Sequence, residues 1–406
     1  MRIFCAVRHS TDPRRYYGGL WSANFYPALR ELGHEVIESQ TDLLPVSRFM
    51  HIGGNFTPGE NEVRARITQA ILDEVRNENT RGGVDLVLSY FYNAQFDSSG
   101  FDELRSMGIP SINFFCNSIY QFELVSEVAS KADFSWHAER DAKGYYQAVG
   151  ANPVWVQMAA DPNVYRPVEG LRHEPIAVFV GQRYADRDRL AAAMLQAKIP
   201  MALYGPGWKQ EAGSRVTEES ANDRGNLGRL ARTPGSMGAY FDVVRQNWAD
   251  AGPVSGTVKM LRQQQYRRES RRLTPLFSAA AKGAVPFEDQ RRIFSSAELV
   301  LNFSNVWSDG RPGSALIPHV RLRDFEAPMC RSCYLTGDTD EIHEFYEVGK
   351  EIDTYRSSEE LIEKSRFYLS NPRAAENLRE AGYQRARAHH TWSDRFKELF
   401  KKVGLC

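Results

Sequence analysis

Short apolar runs alternate with segments of helical spacing along most of the chain, and the alternation starts afresh partway through. Residues 2–7 form the first run. A polar loop holding Gly18 and Gly19 then leads into a helix that Ser22 can cap, with Phe25, Leu29 and Leu32 at helical spacing and Gly33 at its end. Residues 35–38 follow as a second strand. Strand, glycine loop, helix and strand in that order open a doubly wound α/β domain, and paired glycines let backbone approach a ligand at the helix mouth. The pattern continues through helices at 63–75, 101–107, 119–130 and 139–148 and strands at 85–89, 111–116, 134–137 and 153–158. Asp161-Pro162 and Arg166-Pro167 punctuate its end, so residues 1–168 are predicted to form one Rossmann-like domain.

From residue 169 the order restarts. Residues 175–181 are an apolar strand ending on Gly181, 186–196 a helix, and 201–208 a strand closed by the Gly205-Pro206-Gly207 turn. Further on come a helix at 291–297, a buried strand at 299–303, and a capping-box match from Ser357 to Glu360 that starts a helix to 369. Asn371-Pro372 breaks it, 373–389 resumes, and Thr391 begins a terminal helix to 402. Residues 169–390 are thus a second domain, with a polar block at about 209–285 where a compact domain would place a short loop. Inside that block, 258–276 carries Lys259, Arg262, Arg267, Arg268, Arg271 and Arg272. A solvated helix face is the simpler account. The functional alternatives are a docking surface for an anionic acceptor or membrane headgroups, or a subunit contact, and for the membrane Val258, Leu261 and Tyr266 read as a poor binding stripe.

Two domains agree with a length of 406 residues, which exceeds what one core usually covers. Lys+Arg and Asp+Glu balance at 51 each, so no overall basic field argues for nucleic acid. No apolar run approaches the roughly 20 residues of a spanning helix, and the amino end reads as a strand rather than a signal peptide. A cytoplasmic location is the expectation. Cys5, Cys116, Cys330, Cys333 and Cys406 are scattered and odd in number, which argues against a disulfide framework. Cys330 and Cys333 form a lone C-x-x-C without a second pair, better explained as buried small residues than as zinc ligands.

The likeliest chemistry gathers near Ile317–Thr336 in sequence. His319, Arg321 and Arg323 alternate in what reads as a short extended run, which would turn them to one face. Asp324 then reads as the N-cap of a helix with acids in its first turn. Guanidinium groups before a helix start suit a phosphate, and Glu326 is a natural acceptor for ribose hydroxyls.

With these segments in view the chain resembles a GT-B glycosyltransferase, specifically of the spore-maturation-protein (CgeB-like) branch. The run from Gly18 to Val36, GGLWSANFYPALRELGHEV, looks like the family's glycine loop, helix and second strand. From Arg321, RLRDFEAPM, then Tyr334-Leu335-Thr336, Gly349-Lys350-Glu351-Ile352 and Tyr355 are similar to its nucleotide-sugar motif, and HTWSDR from His390 to its closing motif. The resemblance implies two Rossmann-like domains facing across a cleft, with residues 391–406 as a helix packing back on the first. It implies that the first domain takes the acceptor and the second a nucleotide-diphosphate sugar such as a UDP-sugar, the base being open. No metal and no cofactor beyond that substrate would be obligatory. Where relatives tend to carry glycine, this chain has Arg331-Ser332, which puts close backbone packing in doubt or adds a cation near the donor.

Without a metal, diphosphate charge must be met by arginine, backbone N–H groups and helix ends. Gly181, Arg183 and Arg187 follow the first strand of the second domain, where open α/β sheets bind ligands, and join Arg321, Arg323 and His319 as donor-site candidates. Gly205 and Asn305 lie at two further strand ends; Gly18 and Gly19 are candidates in the first domain. Glu326 is the leading ribose acceptor. An inverting enzyme also needs a base, and His9, Asp12, Asp97 and His137 stand at strand ends of the first domain. His137 could equally be a core histidine and Asp97 a turn residue, and a retaining enzyme needs no such base. The partners expected are a nucleotide sugar and a glycan, small-molecule or protein acceptor, without nucleic acid or an integral membrane segment; a homo-oligomer is left open. A nucleotide-sugar epimerase or hydrolase of the same fold, or a non-catalytic binding protein, are the rival readings.

Overall fold

The computed structural model describes residues 1–8, 19–46, 49–209 and 252–405. Contacts divide the chain into two units, one comprising Met1–Asp161 with Trp392–Cys406, the other beginning at Pro162 and ending at Thr391.

In the first unit the elements run β1 (Arg2–Ala6), α1 (Leu20–Glu31), β2 (Glu35–Glu38), α2 (Pro58–Gly82), β3 (Leu86–Ser89), α3 (Ser99–Ser106), β4 (Ser111–Phe115), α4 (Ser118–Gln121), α5 (Ser126–Lys131), β5 (Phe134–His137), α6 (Lys143–Ala148) and β6 (Pro153–Trp155). The strands form one sheet in the order β2-β1-β3-β4-β5-β6, every neighbour parallel. Buried runs such as Ser111–Phe115 are what a parallel sheet covered on both faces requires. Several helix ends depart from the expectations above. Gly19, not Ser22, is the N-cap of α1, and the Ser22 hydroxyl instead donates back to the Gly19 carbonyl at 2.9 Å. At α2 the Thr57 hydroxyl accepts from Glu60 N–H while the Glu60 carboxylate accepts from Thr57 N–H, so the helix starts five residues earlier than its apolar spacing suggested. The single helix expected at 119–130 is two short helices joined by a 3₁₀ turn at Phe122–Leu124.

The second unit runs β7 (Glu174–Val180), α7 (Arg187–Gln196), β8 (Met201–Tyr204), α8 (Pro253–Leu273), β9 (Ala281–Gly283), α9 (Phe287–Ser296), β10 (Ala297–Asn302), β11 (Val306–Trp307), β12 (Leu316–Ile317), α10 (Arg323–Met329), β13 (Tyr334–Gly337), β14 (Asp353–Tyr355), α11 (Ser358–Ser370) and α12 (Pro372–His389). Its sheet is parallel, ordered β14-β13-β10-β7-β8-β9. Numbered from β7, that is the 3-2-1-4-5-6 order of dinucleotide-binding folds, with the reversal between β7 and β10. The described part of the polar block is not a loop: it supplies the 21-residue α8 and the edge strand β9.

The last helix, α13 (Trp392–Val403), belongs to the first unit. Trp392 Nε1 donates to Asn24 on α1 at 2.8 Å, and the Trp392 and Phe396 rings meet Phe25 edge-on at 4.9 and 5.3 Å. Among the described residues no helix is long and apolar enough to cross a membrane.

Candidate functional site

The reversal of strand order in the second unit falls between β7 and β10, and beyond the carboxyl ends of two such strands, whose following connections leave in opposite directions, open α/β sheets have their ligand crevice. Residues 181–186 leave β7 and residues 303–305 leave β10. The two segments are tied together. Arg187 Nε donates to the Phe303 carbonyl at 3.1 Å and its Nη1 to the Gln182 carbonyl at 2.8 Å, while the guanidinium lies over the Tyr184 ring at 4.4 Å. Asn305 Nδ2 donates to Asp186 Oδ2 at 2.7 Å. The other Asp186 oxygen is buried with no hydrogen-bond partner, and burial raises this carboxyl above its ordinary pKa against the opposing Asn305 bond. Ala185, between them, has φ of 57°, a left-handed conformation that costs energy for a residue with a Cβ and marks a backbone held by its surroundings.

A second group of residues fixes α10 to the sheet's carboxyl edge. Asp324 is buried and accepts from Arg321 N–H at 2.6 Å, Thr336 Oγ1 at 2.8 Å, Tyr334 Oη at 2.9 Å and Asn302 Nδ2 at 3.2 Å. Burial raises its pKa, with those four bonds opposing. Asp324 therefore is not the N-cap expected of it; Leu322 occupies that position, and α10 begins at Arg323. The extended run also fails, since only Leu316–Ile317 pair as a strand and Arg323 is already helical. His319 is buried, Arg321 half-buried.

The arginines nominated for phosphate have definite destinations. Arg183 turns away from the crevice: it donates to Thr274 Oγ1 at 2.9 Å and to Ser270, pairs with Asp188 at 3.4 Å and covers the Phe277 ring. It is an anchor for the end of α8. Arg187, as above, braces the two crevice segments. Arg323 pairs with Glu326 at 2.7 Å, donates to Gln290 at 2.9 Å and lies over Phe294, so it faces α9. Arg321 reaches the Tyr184 hydroxyl at 2.6 Å and so stands at the segment following β7. Glu326 is buried in the first turn of α10 with Arg323 holding its carboxylate. Gly205 and Gly207 are packing glycines: a Cβ at Gly205 would stand 2.4 Å from the Gly181 carbonyl, which also accepts from Trp208 Nε1 at 2.8 Å.

Arg331 takes φ of 59°, the conformation glycine adopts easily, and its guanidinium pairs with Glu380 at 2.7 Å and with Glu376, both on α12. It closes α10 and is not a donor-site cation. Cys330 and Cys333 are buried, and burial raises both thiols well above the ordinary range. Among the described residues no group of three or more His, Cys, Asp or Glu is placed to hold a metal ion.

In the first unit the candidates separate. His9, Asp12 and Gly18 lie outside the described residues, and Gly19 caps α1. Asp97 is a turn residue, its Oδ1 accepting from Ser99 N–H at 3.1 Å and Ser99 Oγ at 2.8 Å ahead of α3. His137 is a core histidine: fully buried, its Nδ1 2.8 Å from the Glu139 carbonyl and its ring stacked on Tyr146. Burial lowers its pKa to about 4. Of the two readings left open for each, the structure gives Asp97 the turn and His137 the core. Sequence reasoning missed Tyr184, Asp186 and Asp324; the polar run after a strand that ends on glycine was the available signal for the first two.

Two doubly wound parallel sheets with the last helix returned to the first give the chain the GT-B fold. Residues 241–401, less than half of the chain, match the family described as glycosyl transferase-like. Sucrose-phosphate synthase from Thermosynechococcus elongatus has a similar structure, with a TM-score of 0.57 at 12% identity over 99% of each chain. HepE from Anabaena, solved in complex with UDP and glucose, gives 0.55 at 11% identity over 100% of both chains. AviGT4, a glycosyltransferase involved in avilamycin A biosynthesis, gives 0.51 at 15% identity over 99% of this chain and 97% of its own. No curated protein matches the chain by sequence.

Proposed function

We propose that the chain is a glycosyltransferase moving a sugar from a nucleotide-diphosphate sugar to an acceptor hydroxyl, without an obligatory metal and in the cytoplasm. The observation that carries this is the crevice at the strand-order reversal of the second unit, flanked by Arg321 at one segment and by the buried Glu326 on the helix that follows. The glycosyl transferase-like match over 241–401 includes that helix, and HepE, of the same fold, was solved with UDP and glucose. Placement in the CgeB-like branch rests on the RLRDFEAPM, GKEI and HTWSDR runs.

In this reading Glu326 accepts the ribose hydroxyls. Arg323 has the role of orienting that carboxylate rather than meeting phosphate, since an ion pair at 2.7 Å restricts the Glu326 rotamer. Arg321 meets the diphosphate. Asp186 and Asn305 line the place where the sugar would lie, offering a carboxylate oxygen and an amide at the switch point. The first unit takes the acceptor.

The experiment is a thermal-shift panel of UDP, TDP, GDP and CDP, followed by calorimetry on variants. One diphosphate should raise the melting temperature, as any ligand of the native state does. Glu326→Ala should weaken its affinity by about tenfold or more, the loss of one charged hydrogen-bonding group. Chelation of divalent ions should leave transfer intact. Sugar release or epimerisation from donor alone, at a rate no acceptor changes, would replace the transferase with a hydrolase or epimerase. No shift with any diphosphate would end the reading.

A further inference from the structure

Helix α8 is seated by one side. Tyr266 meets Trp307 edge-on at 5.3 Å, Lys259 pairs with Asp309, Glu269 accepts from Arg189 Nε at 2.9 Å, and Ser270 accepts from Arg183. Its backbone rests on Gly313, where a Cβ would come within 2.9 Å of the Lys259 carbonyl. The opposite side is turned to solvent. Val254, Val258, Leu261, Gln265, Arg268 and Arg272 follow one another at intervals of four, three, four, three and four, which places them on one stripe about 27 Å long.

That stripe is unusual for this molecule on two counts. Val254, Val258 and Leu261 are 79%, 41% and 61% exposed, and with Leu276 at 42% they make four of the six exposed large apolar side chains among the described residues. The helix also holds six of the chain's Lys and Arg against one Glu, in a protein whose Lys+Arg and Asp+Glu are equal at 51 each. Lys259 and Glu269 are used in seating it. Arg262, Arg267, Arg268, Arg271 and Arg272 are exposed, and among the described residues none has a carboxylate partner.

We propose that the outward face of α8 docks the protein on an anionic lipid bilayer. The apolar residues at the amino half would enter the boundary between headgroups and acyl chains, and the arginines of the carboxyl half would meet lipid phosphates. Charge alone would suit nucleic acid, but that partner gains little from three exposed aliphatic side chains. It would also look for an exposed ring on which to stack, and Tyr266 is turned inward. A convex helix face fits a plane better than it fits a single acidic chain. The inference does not depend on sugar transfer or on the crevice.

The test is flotation of the full-length protein with vesicles of phosphatidylcholine alone or mixed with phosphatidylglycerol. Binding is expected to the mixed vesicles and to weaken as salt rises. Each arginine near an anionic surface contributes about fivefold, so the triple change Arg268→Gln, Arg271→Gln and Arg272→Gln should weaken binding about a hundredfold. Leu261→Asp should weaken it separately. Circular dichroism and the diphosphate thermal shift should stay as in the parent, because all four side chains are exposed and none is part of the crevice. Equal binding to neutral vesicles, no binding to either kind, or unchanged binding by the triple variant would overturn the proposal. Retention by an oligonucleotide with no vesicle binding would overturn it in favour of nucleic acid.

Discussion

The imidazole of His137 stacks on Tyr146 with 5.0 Å between ring centroids, and its Nδ1–H donates to the Glu139 carbonyl at 2.8 Å, leaving Nε2 without a described partner. Such a ring is neutral in the folded chain, with a pKa of about 4, and protonates near 6.5 when unfolded. Its contribution is therefore complete above about pH 6.5 and is lost as pH falls toward 4, a change of about 3 kcal/mol. His137→Asn keeps a donor near Nδ1 and should flatten the fall in melting temperature between pH 7 and 4.5. An equally steep fall in the variant would show that another group titrates. Asp186 works in the opposite direction. Its raised pKa means the unfolded chain ionises first, so stability present below about pH 4 is lost as pH rises through the folded value. The melting temperature of Asp186→Asn minus that of the parent should thus grow from pH 4 to 7, and a flat difference would refute the assignment. Neither behaviour could be read from the chain, where a core position was one of two readings left open for His137 and Asp186 was only the start of a helix. Which groups surround a side chain is decided by strands far away in sequence.

Arginine destinations show the same limit for whole elements. Arg183 sits where an anion ligand was expected, yet it holds α8 by Ser270 and Thr274 and shares Asp188, whose other oxygen is buried without a partner. Arg183→Met would leave Asp188 buried without a cation, a loss of about 3 kcal/mol. It would also free the carboxyl end of α8. Trypsin should then cut at Arg267, Arg268, Arg271 or Arg272 sooner than in the parent, while diphosphate affinity keeps its salt dependence. Loss of affinity at an unchanged rate of cleavage would return Arg183 to the phosphate. The alternation of strands and helices was legible because parallel strands covered on both faces are mostly apolar, and Ser111–Phe115 and Ala297–Asn302 are buried along their whole length. Helix α8 was legible only in part: 258–276 read as a solvated helix face, but its start at Pro253 did not show, because it buries almost nothing and carries no apolar stripe toward the sheet. The run 119–130 failed for a related reason: apolar spacing persists across a 3₁₀ turn at Phe122–Leu124. Arg331 is the converse case, a position whose backbone wants glycine and whose ion pairs to α12 offset the strain.

The HTWSDR run was legible as a helix start, but only the family resemblance said which sheet that helix would serve. The structure gives the physical reason for its place. Trp392, Phe396, Leu399 and Phe400 are buried among Phe25, Trp136 and their neighbours, so the core of the first unit is completed by the far end of the chain. Truncating one buried Trp or Phe costs about 3–5 kcal/mol, and a domain has only about 5–15 kcal/mol in all. Trp392→Ala should therefore lower the melting of the first unit markedly, and ending the chain at Thr391 should unfold it. The second unit keeps its own sheet and its own core of Ala177, Phe179, Leu203, Leu299 and Leu301 through either change. A chain of residues 1–391 should accordingly lose one of two unfolding transitions, while the diphosphate that stabilises the parent still raises the melting temperature of what remains. If the truncated chain melts as the parent does, α13 is no part of the first unit's core. If both transitions vanish together, the two units do not fold independently and the nucleotide site depends on the first.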